Sequence, residues 1–260
     1  MNDGAEWDVY LCNVNDHPAS IVLDLSLRKK APDPERPWLL FVWIKLQESN
    51  EGGLGCRSEL DSLVQVENSL CEDLDTSCGA MFCGTITNLG RREFYFYVLV
   101  TEGVEEAVIR SLSSSPQYKF QIGFEHDPSW KQYLDVLYPP EDELERMANR
   151  RVLELLDKHG DQSFKTRPVQ HWIFFRNAAD REAFLKESAL KGYDRPYSYE
   201  IEHRDDRFCA CVSRDQTTEP DVIDGSIMEL RQLAARFNGV YDGWETQVIN
   251  DDEVAPPKPN

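Results

Sequence analysis

WLLFVWIKL, residues 38–46, decides the fold. Its first residues are apolar in both alternating positions, as in a strand covered on two faces inside a sheet. Pro32, Pro34 and Pro37 break the chain just before it, so a new run of structure starts there. Reading forward, residues 58–74 carry Leu60, Leu63, Val64, Val66 and Leu70 at mostly helical spacing, and Ser58 with Asp61 suits the helix start. AMFCGTITNL (80–89) and EFYFYVLV (93–100) flank a Gly90-Arg91-Arg92 turn and predict a hairpin. GVEEAVIRSL (103–112) predicts a short helix with acids in its first turn, and YKFQIGFEHD (118–127) returns to strand. From Trp38 the order is β-α-β-β-α-β, the split order of the ferredoxin-like fold.

The same pattern extends outward in both directions. Upstream, WDVYLCNV (7–14) and ASIVLDLSL (19–27) are β-rich and joined by Asn15-Asp16-His17-Pro18, which predicts an added N-terminal hairpin. Downstream, Tyr138-Pro139-Pro140 marks a boundary. A helix over 141–158 follows, with Glu141, Asp142 and Glu143 in its first turn, Lys158 and His159 in its last, and Gly160 as its stop. VQHWIFFR (169–176) predicts a strand, ADREAFLKESALK (179–191) a helix, and SYEIEHR (198–204) with RFCACVSR (207–214) a hairpin about Asp205-Asp206. Residues 221–237 predict a long amphipathic helix and VYDGWETQVI (240–249) a closing strand. The fold class expected is α+β: two tandem ferredoxin-like domains, 1–138 and 139–249, the first with its extra hairpin. Residues 250–260, with three prolines and no apolar face, predict a disordered tail.

Charge narrows the function. The 260 residues hold 28 Lys+Arg against 47 Asp+Glu, a net charge of −19, which excludes a phosphate-binding surface of the usual kind and adhesion to an anionic membrane. Acids outnumber bases 22 to 11 over residues 1–140 and 25 to 17 over 141–260, so the acidity belongs to both halves. The complementary partner is a protein with basic surface. The longest apolar stretch, Trp38–Ile44, is too short to span a bilayer. The first residues lack the pattern of a secretory signal, and the seven cysteines suit reduced thiols, so a cytoplasmic location is expected.

Catalytic motifs are missing. There is no GxSxG, HExxH, P-loop or GxGxxG, and the loop of Gly52, Gly53 and Gly55 lacks the Gly-Lys-Ser/Thr that would cradle a phosphate. Cys71, Cys78 and Cys83 match no common zinc spacing; Cys209 and Cys211 share one strand face and read as small core residues. Glu125-His126-Asp127 alternates across a strand end, so the three groups do not converge. His171 and His203 lie in strand runs that can pair across a sheet, where a structural role outweighs a metal site. No catalytic residue, cofactor or metal site is assigned. Tyr241-Asp242-Gly243-Trp244 predicts a bulge in the last strand, with both rings anchoring it to the helices or one presented to a partner.

Residues 141–249 resemble the bacterial regulators of ribonuclease E activity, type B. The resemblance rests on the helix ending near His159-Gly160-Asp161, the close at Gly192-Tyr193 and the Cys209/Cys211 strand. It rests most on the block Val222-Ile223-Asp224, Leu230, Leu233-Ala234 and Tyr241-Asp242-Gly243-Trp244-Glu245-Thr246. Glu245 stands where the family pattern has Gly, and the tail is shorter than the family's acidic one. The N-terminal half is similar to a domain of unknown function numbered 695 through Trp7-Asp8-Val9-Tyr10 and Pro18-Ala19-Ser20-Ile21. The resemblance implies a non-catalytic protein inhibitor of an endoribonuclease with a ferredoxin-like fold. Expected contact residues are Glu59, Asp61, Glu72, Asp73 and Asp75, then Glu141, Asp142, Glu143 and Glu145, then Tyr241, Asp242 and Trp244. Two alternatives stay open: an immunity-type protein that neutralises a toxin, and an enzyme whose site forms only between the domains.

Overall fold

A computed structural model of the chain describes residues 4–202 and 205–250. The chain is mixed α/β, with two antiparallel sheets, and divides into two compact units, Met1–Met147 and Ala148–Asn260. No helix among the described residues is long and apolar enough to cross a membrane.

The first unit runs β1 (Trp7–Val14), β2 (His17–Asp24), β3 (Trp38–Lys45), α1 (Leu60–Cys78), β4 (Met81–Asn88), β5 (Arg91–Val98), α2 (Val104–Leu112) and β6 (Phe120–His126). Its sheet order is β1-β2-β4-β5-β3-β6. β3 lies between β5 and β6, paired along its length on both sides, which explains its two apolar faces. The β1–β2 turn is shorter than the sequence suggests. Only Asn15 and Asp16 form it, with φ of 51° and 65°, a left-handed pair that suits the twist of a tight hairpin. β2 also stops early, at Asp24, because the Asp24 carboxylate accepts the Ser26 N–H at 2.9 Å and starts a 3-10 turn over Leu25–Lys29. Ser58 does not cap α1: its hydroxyl donates to Glu48 instead, and the helix begins at Leu60. The hairpin joins the sheet by close approach at Gly84, where a Cβ would lie 2.2 Å from the Val22 carbonyl oxygen and φ is +152°.

Both faces of this sheet are covered. On one, α1 and α2 pack Leu63, Val66, Leu70, Val104 and Val108 against Leu40, Val42, Phe94 and Phe96. On the other lie Trp130, Tyr133, Leu137 and Met147, over Ile21, Leu39, Tyr95 and Tyr97. This second layer includes a π-helical turn, Gln132–Leu137, in a short stretch to which the sequence assigns no element. Side-chain hydrogen bonds fix it in place. Trp130 stacks on Tyr97 at 4.0 Å and donates Nε1–H to the Arg36 carbonyl; the Tyr133 and Tyr10 hydroxyls donate to the carbonyls of Asp24 and Leu137. Asp127 accepts from the Tyr97 hydroxyl at 2.6 Å and from the Gln132 amide at 3.1 Å.

α3 (Glu141–Lys158) passes from the first unit into the second. Then come β7 (Arg167–Phe175), α4 (Ala178–Leu190), β8 (Asp194–Glu200), β9 (Phe208–Gln216), α5 (Pro220–Arg236) and β10 (Val240–Thr246). The sheet order is β10-β7-β9-β8, all antiparallel. α4 and α5 supply Phe184, Leu185, Leu230, Leu233 and Ala234 to a core with Ile173, Phe175, Ala210 and Val212. β8 starts four residues before the sequence suggests, two residues after Gly192, whose φ of 85° follows the end of α4. His203 and residues 251–260 lie outside the described residues, so the pairing expected of His203 and the expected tail do too.

Candidate functional site

Alternation sorts the second sheet into two faces. His171, Ile173 and Phe175 of β7 and Phe208, Ala210 and Val212 of β9 turn toward the helices. Gln170, Trp172 and Phe174 turn the other way, together with Cys209, Cys211 and Ser213 of β9. Register places Tyr197 opposite Cys211 and Tyr199 opposite Cys209, so both β8 tyrosines share this second face. Trp172 lies 5.2 Å from Tyr197 and 6.3 Å from Tyr199, ring centre to ring centre. The rings roof over β9: Cys209 and Cys211 are fully buried, while Tyr197 and Tyr199 remain 40% and 42% exposed. The Tyr197 hydroxyl donates to the Gln170 amide oxygen at 2.8 Å, which sets that ring's position. Glu245 stands opposite Gln170 on β10 and is exposed.

The Cys211 thiol and the Tyr197 phenol on this face are both held in their neutral forms. Burial first, and then the neighbouring Cys209 and Glu245, push the Cys211 thiol up to about 11, so it stays protonated near neutral pH. Burial and Cys211 push the Tyr197 phenol up to about 12. On the helix side, burial and the Arg214 charge push His171 down to about 3, so it is a neutral ring. Its Nδ1 is 2.9 Å from the Tyr241 hydroxyl. Among the described residues, no group of three or more His, Cys, Asp or Glu is placed to hold a metal.

Buried polar contacts lock the closing strand. Arg167 donates from both terminal nitrogens to Asp161 and at 2.6 Å to Thr218. Burial raises the Asp161 carboxyl, but the Arg167 guanidinium, the Ile249 amide and the Thr218 hydroxyl outweigh it and hold the group below the usual range. The bulge expected in β10 falls between Tyr241 and Gly243. Both rings turn to the helix side: Tyr241 to His171, and Trp244 to Asn149, whose Oδ1 accepts the indole N–H at 3.0 Å. Asn149 in turn donates to Asp224 at 3.0 Å. Asp242 is exposed at the bulge.

The acidic residues singled out in the sequence have different surroundings. Glu59 is buried and accepts the Gln47 and Glu48 amides, so it holds a loop. Asp73 is tied to Arg110 and Ser111 of α2. Asp61, Glu72 and Asp75 are exposed along α1, and the last two line a cavity of about 280 Å³ beside Trp7, Arg36 and Phe82. Glu141 and Asp142 are exposed at the start of α3; Glu143 and Glu145 are half-buried, with Glu143 paired to Arg146. Glu125, His126 and Asp127 do not converge: His126 lies against Trp38 while Asp127 caps the turn after it. Trp172, Tyr197 and Tyr199 were not among the residues expected from the sequence. Tyr-Ser-Tyr at 197–199 was the available signal, hidden by a strand start placed inside it.

Known proteins align with both parts of the chain. The regulators of ribonuclease activity B match residues 146–246, most of the second unit. The Escherichia coli regulator of ribonuclease activity B is 26% identical over 110 residues, 42% of this chain and 80% of its own length. The Salmonella typhi protein is 24% identical over 40% of this chain and 77% of itself, and the Pantoea ananatis one 24% over 40% and 76%. The family of unknown function DUF695 matches residues 5–138, more than half of the chain. The chain therefore belongs to the DUF695 family, with a C-terminal part similar to the regulators of ribonuclease activity B.

Proposed function

We propose that the protein is a non-catalytic regulator that binds a ribonuclease, of the E type, and restrains it. The observation that carries this reading is the match of residues 146–246 to regulators of ribonuclease activity B. Two further features support it. The Cys211 thiol under the aromatic rings and the His171 ring on the helix side of the same sheet are both in their neutral forms near neutral pH. The net charge of −19 suits a partner with basic surface, such as one built to hold RNA, through steering and charge complementarity. In this reading the chain is two tandem ferredoxin-like domains, 1–138 and 139–249, a view supported by the strand order that β4-β5-β3-β6 and β8-β9-β7-β10 share. The acidic groups Asp61, Glu72 and Asp75, the start of α3 at Glu141 and Asp142, and the Asp242 bulge supply partner contacts, and the protein works in the cytoplasm.

The test is inhibition. The full chain is titrated into a purified E-type endoribonuclease cleaving a labelled RNA. Cleavage is expected to slow with added chain, and the inhibition to weaken as salt rises. Unchanged cleavage at saturating chain, or RNA cleavage by the chain alone, overturns the reading.

A further inference from the structure

Building on the reading of the chain as a regulator that binds protein, we propose that the open face of the second sheet takes an arginine-bearing segment of its partner. The guanidinium groups lie on Trp172, Tyr197 and Tyr199, and the carboxylates around those rings take up their charge. The rings are available: Tyr197 and Tyr199 are exposed, and Trp172 is half-buried beside them. A planar, weakly hydrated cation over such rings gains from the ring quadrupole, and a guanidinium stacks better than an ammonium.

Charge around the rings selects the occupant. Glu245 lies near Tyr197 and Asp242 near Tyr199, close enough for their negative charge to hinder ionisation of the two phenols. Register adds Asp194, opposite Ser213, and Asp215, two residues beyond it on the same face; both are exposed. The three arginines of these four strands all turn elsewhere and are each held by a carboxylate. Arg167 is bound to Asp161, Arg195 to Glu182 at 3.0 Å, and Arg214 to Glu229 at 3.3 Å. Bases of single-stranded RNA also stack on sheet aromatics. Their phosphates would meet four carboxylates here and none of those arginines, so the geometry favours a cationic peptide.

The experiment measures binding of the full chain to short labelled peptides that differ only in whether Arg, Lys or Gln occupies the alternate positions, and to a poly-U oligonucleotide. The Arg peptide is expected to bind several-fold tighter than the Lys peptide, and the Gln peptide and the oligonucleotide far more weakly. The Tyr197→Leu/Tyr199→Leu double variant is expected to bind the Arg peptide about tenfold more weakly, and Tyr197→Phe/Tyr199→Phe to keep most of the affinity. Glu245→Gln should weaken binding at low salt and little at high salt. Circular dichroism confirms that each variant is folded; should the Leu pair unfold, Glu245→Gln and the Arg/Lys/Gln series decide alone. Equal affinity for Arg and Gln peptides, an unaffected folded Leu variant, or preferred binding of the oligonucleotide overturns the proposal. Ribonuclease inhibition that survives the Leu substitutions also overturns it, while leaving the regulatory reading standing. Arg-peptide binding at the rings without ribonuclease inhibition does the reverse.

Discussion

The two sheets share an interior strand order and differ in what covers their second face. In the first unit Tyr97 lies under Trp130, in stacked contact at 4.0 Å, and the chain from Asp127 to Met147 seals that face. In the second unit the corresponding side ends at Trp172, Tyr197 and Tyr199, with two tyrosines about 40% exposed. One sheet uses its aromatics to hold its own chain in place; the other leaves them at the surface. Strand order alone does not say which face of such a sheet is available. In the first unit it is the segment after the last strand that closes the second face.

Substitutions can break or sharpen this contrast. The largest effect is expected from Trp130→Ala, which removes a fully buried ring and strands the Arg36 carbonyl; the loss should be about 3–5 kcal/mol in urea unfolding of the first unit. Removing a ring of the open face, Tyr199→Ala, should by contrast cost the second unit clearly less than Trp130→Ala costs the first, since that ring is already 42% exposed. Losses of similar size at the two sites would erase the distinction.

Within the second unit, Asp161→Ala leaves Arg167 buried without its carboxylate and should lower stability by about 3–5 kcal/mol, read by thermal unfolding. Because the Asp161 carboxyl is held below its usual range when folded, its contribution is present above the ordinary carboxylate value near pH 4. It is lost as pH falls through the depressed one. An acid titration whose midpoint is unchanged in a folded Asp161→Asn variant would remove Asp161 from that account.

A smaller, graded effect belongs to His171. Folded, it is held near 3; unfolded, it titrates near its ordinary 6.5, so the unfolded chain binds the extra proton between those values. Stability of the second unit should therefore fall as pH drops from about 6.5, by at most about 1.4 kcal/mol per pH unit. Among the described residues the first unit buries no histidine and should lack this slope. His171→Phe should flatten the slope; a slope that persists assigns the proton elsewhere.

Sequence periodicity made the element order legible because each strand and helix carries its own apolar repeat. Leu63, Val66 and Leu70 show one helix face, and β3 reads as a doubly covered strand. The cover over the first sheet was not legible. Trp130, Tyr133 and Leu137 stand at i, i+3 and i+7, but the run is only about two turns long before Pro139, too short a repeat to mark an element. A π-helical turn and a left-handed Trp130 (φ 56°) carry it. The open face was hidden for another reason. In VQHWIFF both alternating positions are bulky, so alternation separates Trp172 from His171 but could not say which of the two faces is left at the surface. Tyr241 and Trp244 were legible as a bulged pair, but only the register showed both rings turned to the helices.

The two cysteines beneath the aromatic roof of the second sheet make that surface a clock. Cys209 and Cys211 have no exposed area, so an alkylating reagent reaches them only when the rings lift or the strands part. Their rate of modification thus counts how often the roof opens. An occupant resting on Tyr197 and Tyr199 would slow it, so the chain carries an intrinsic kinetic reporter of its own occupancy.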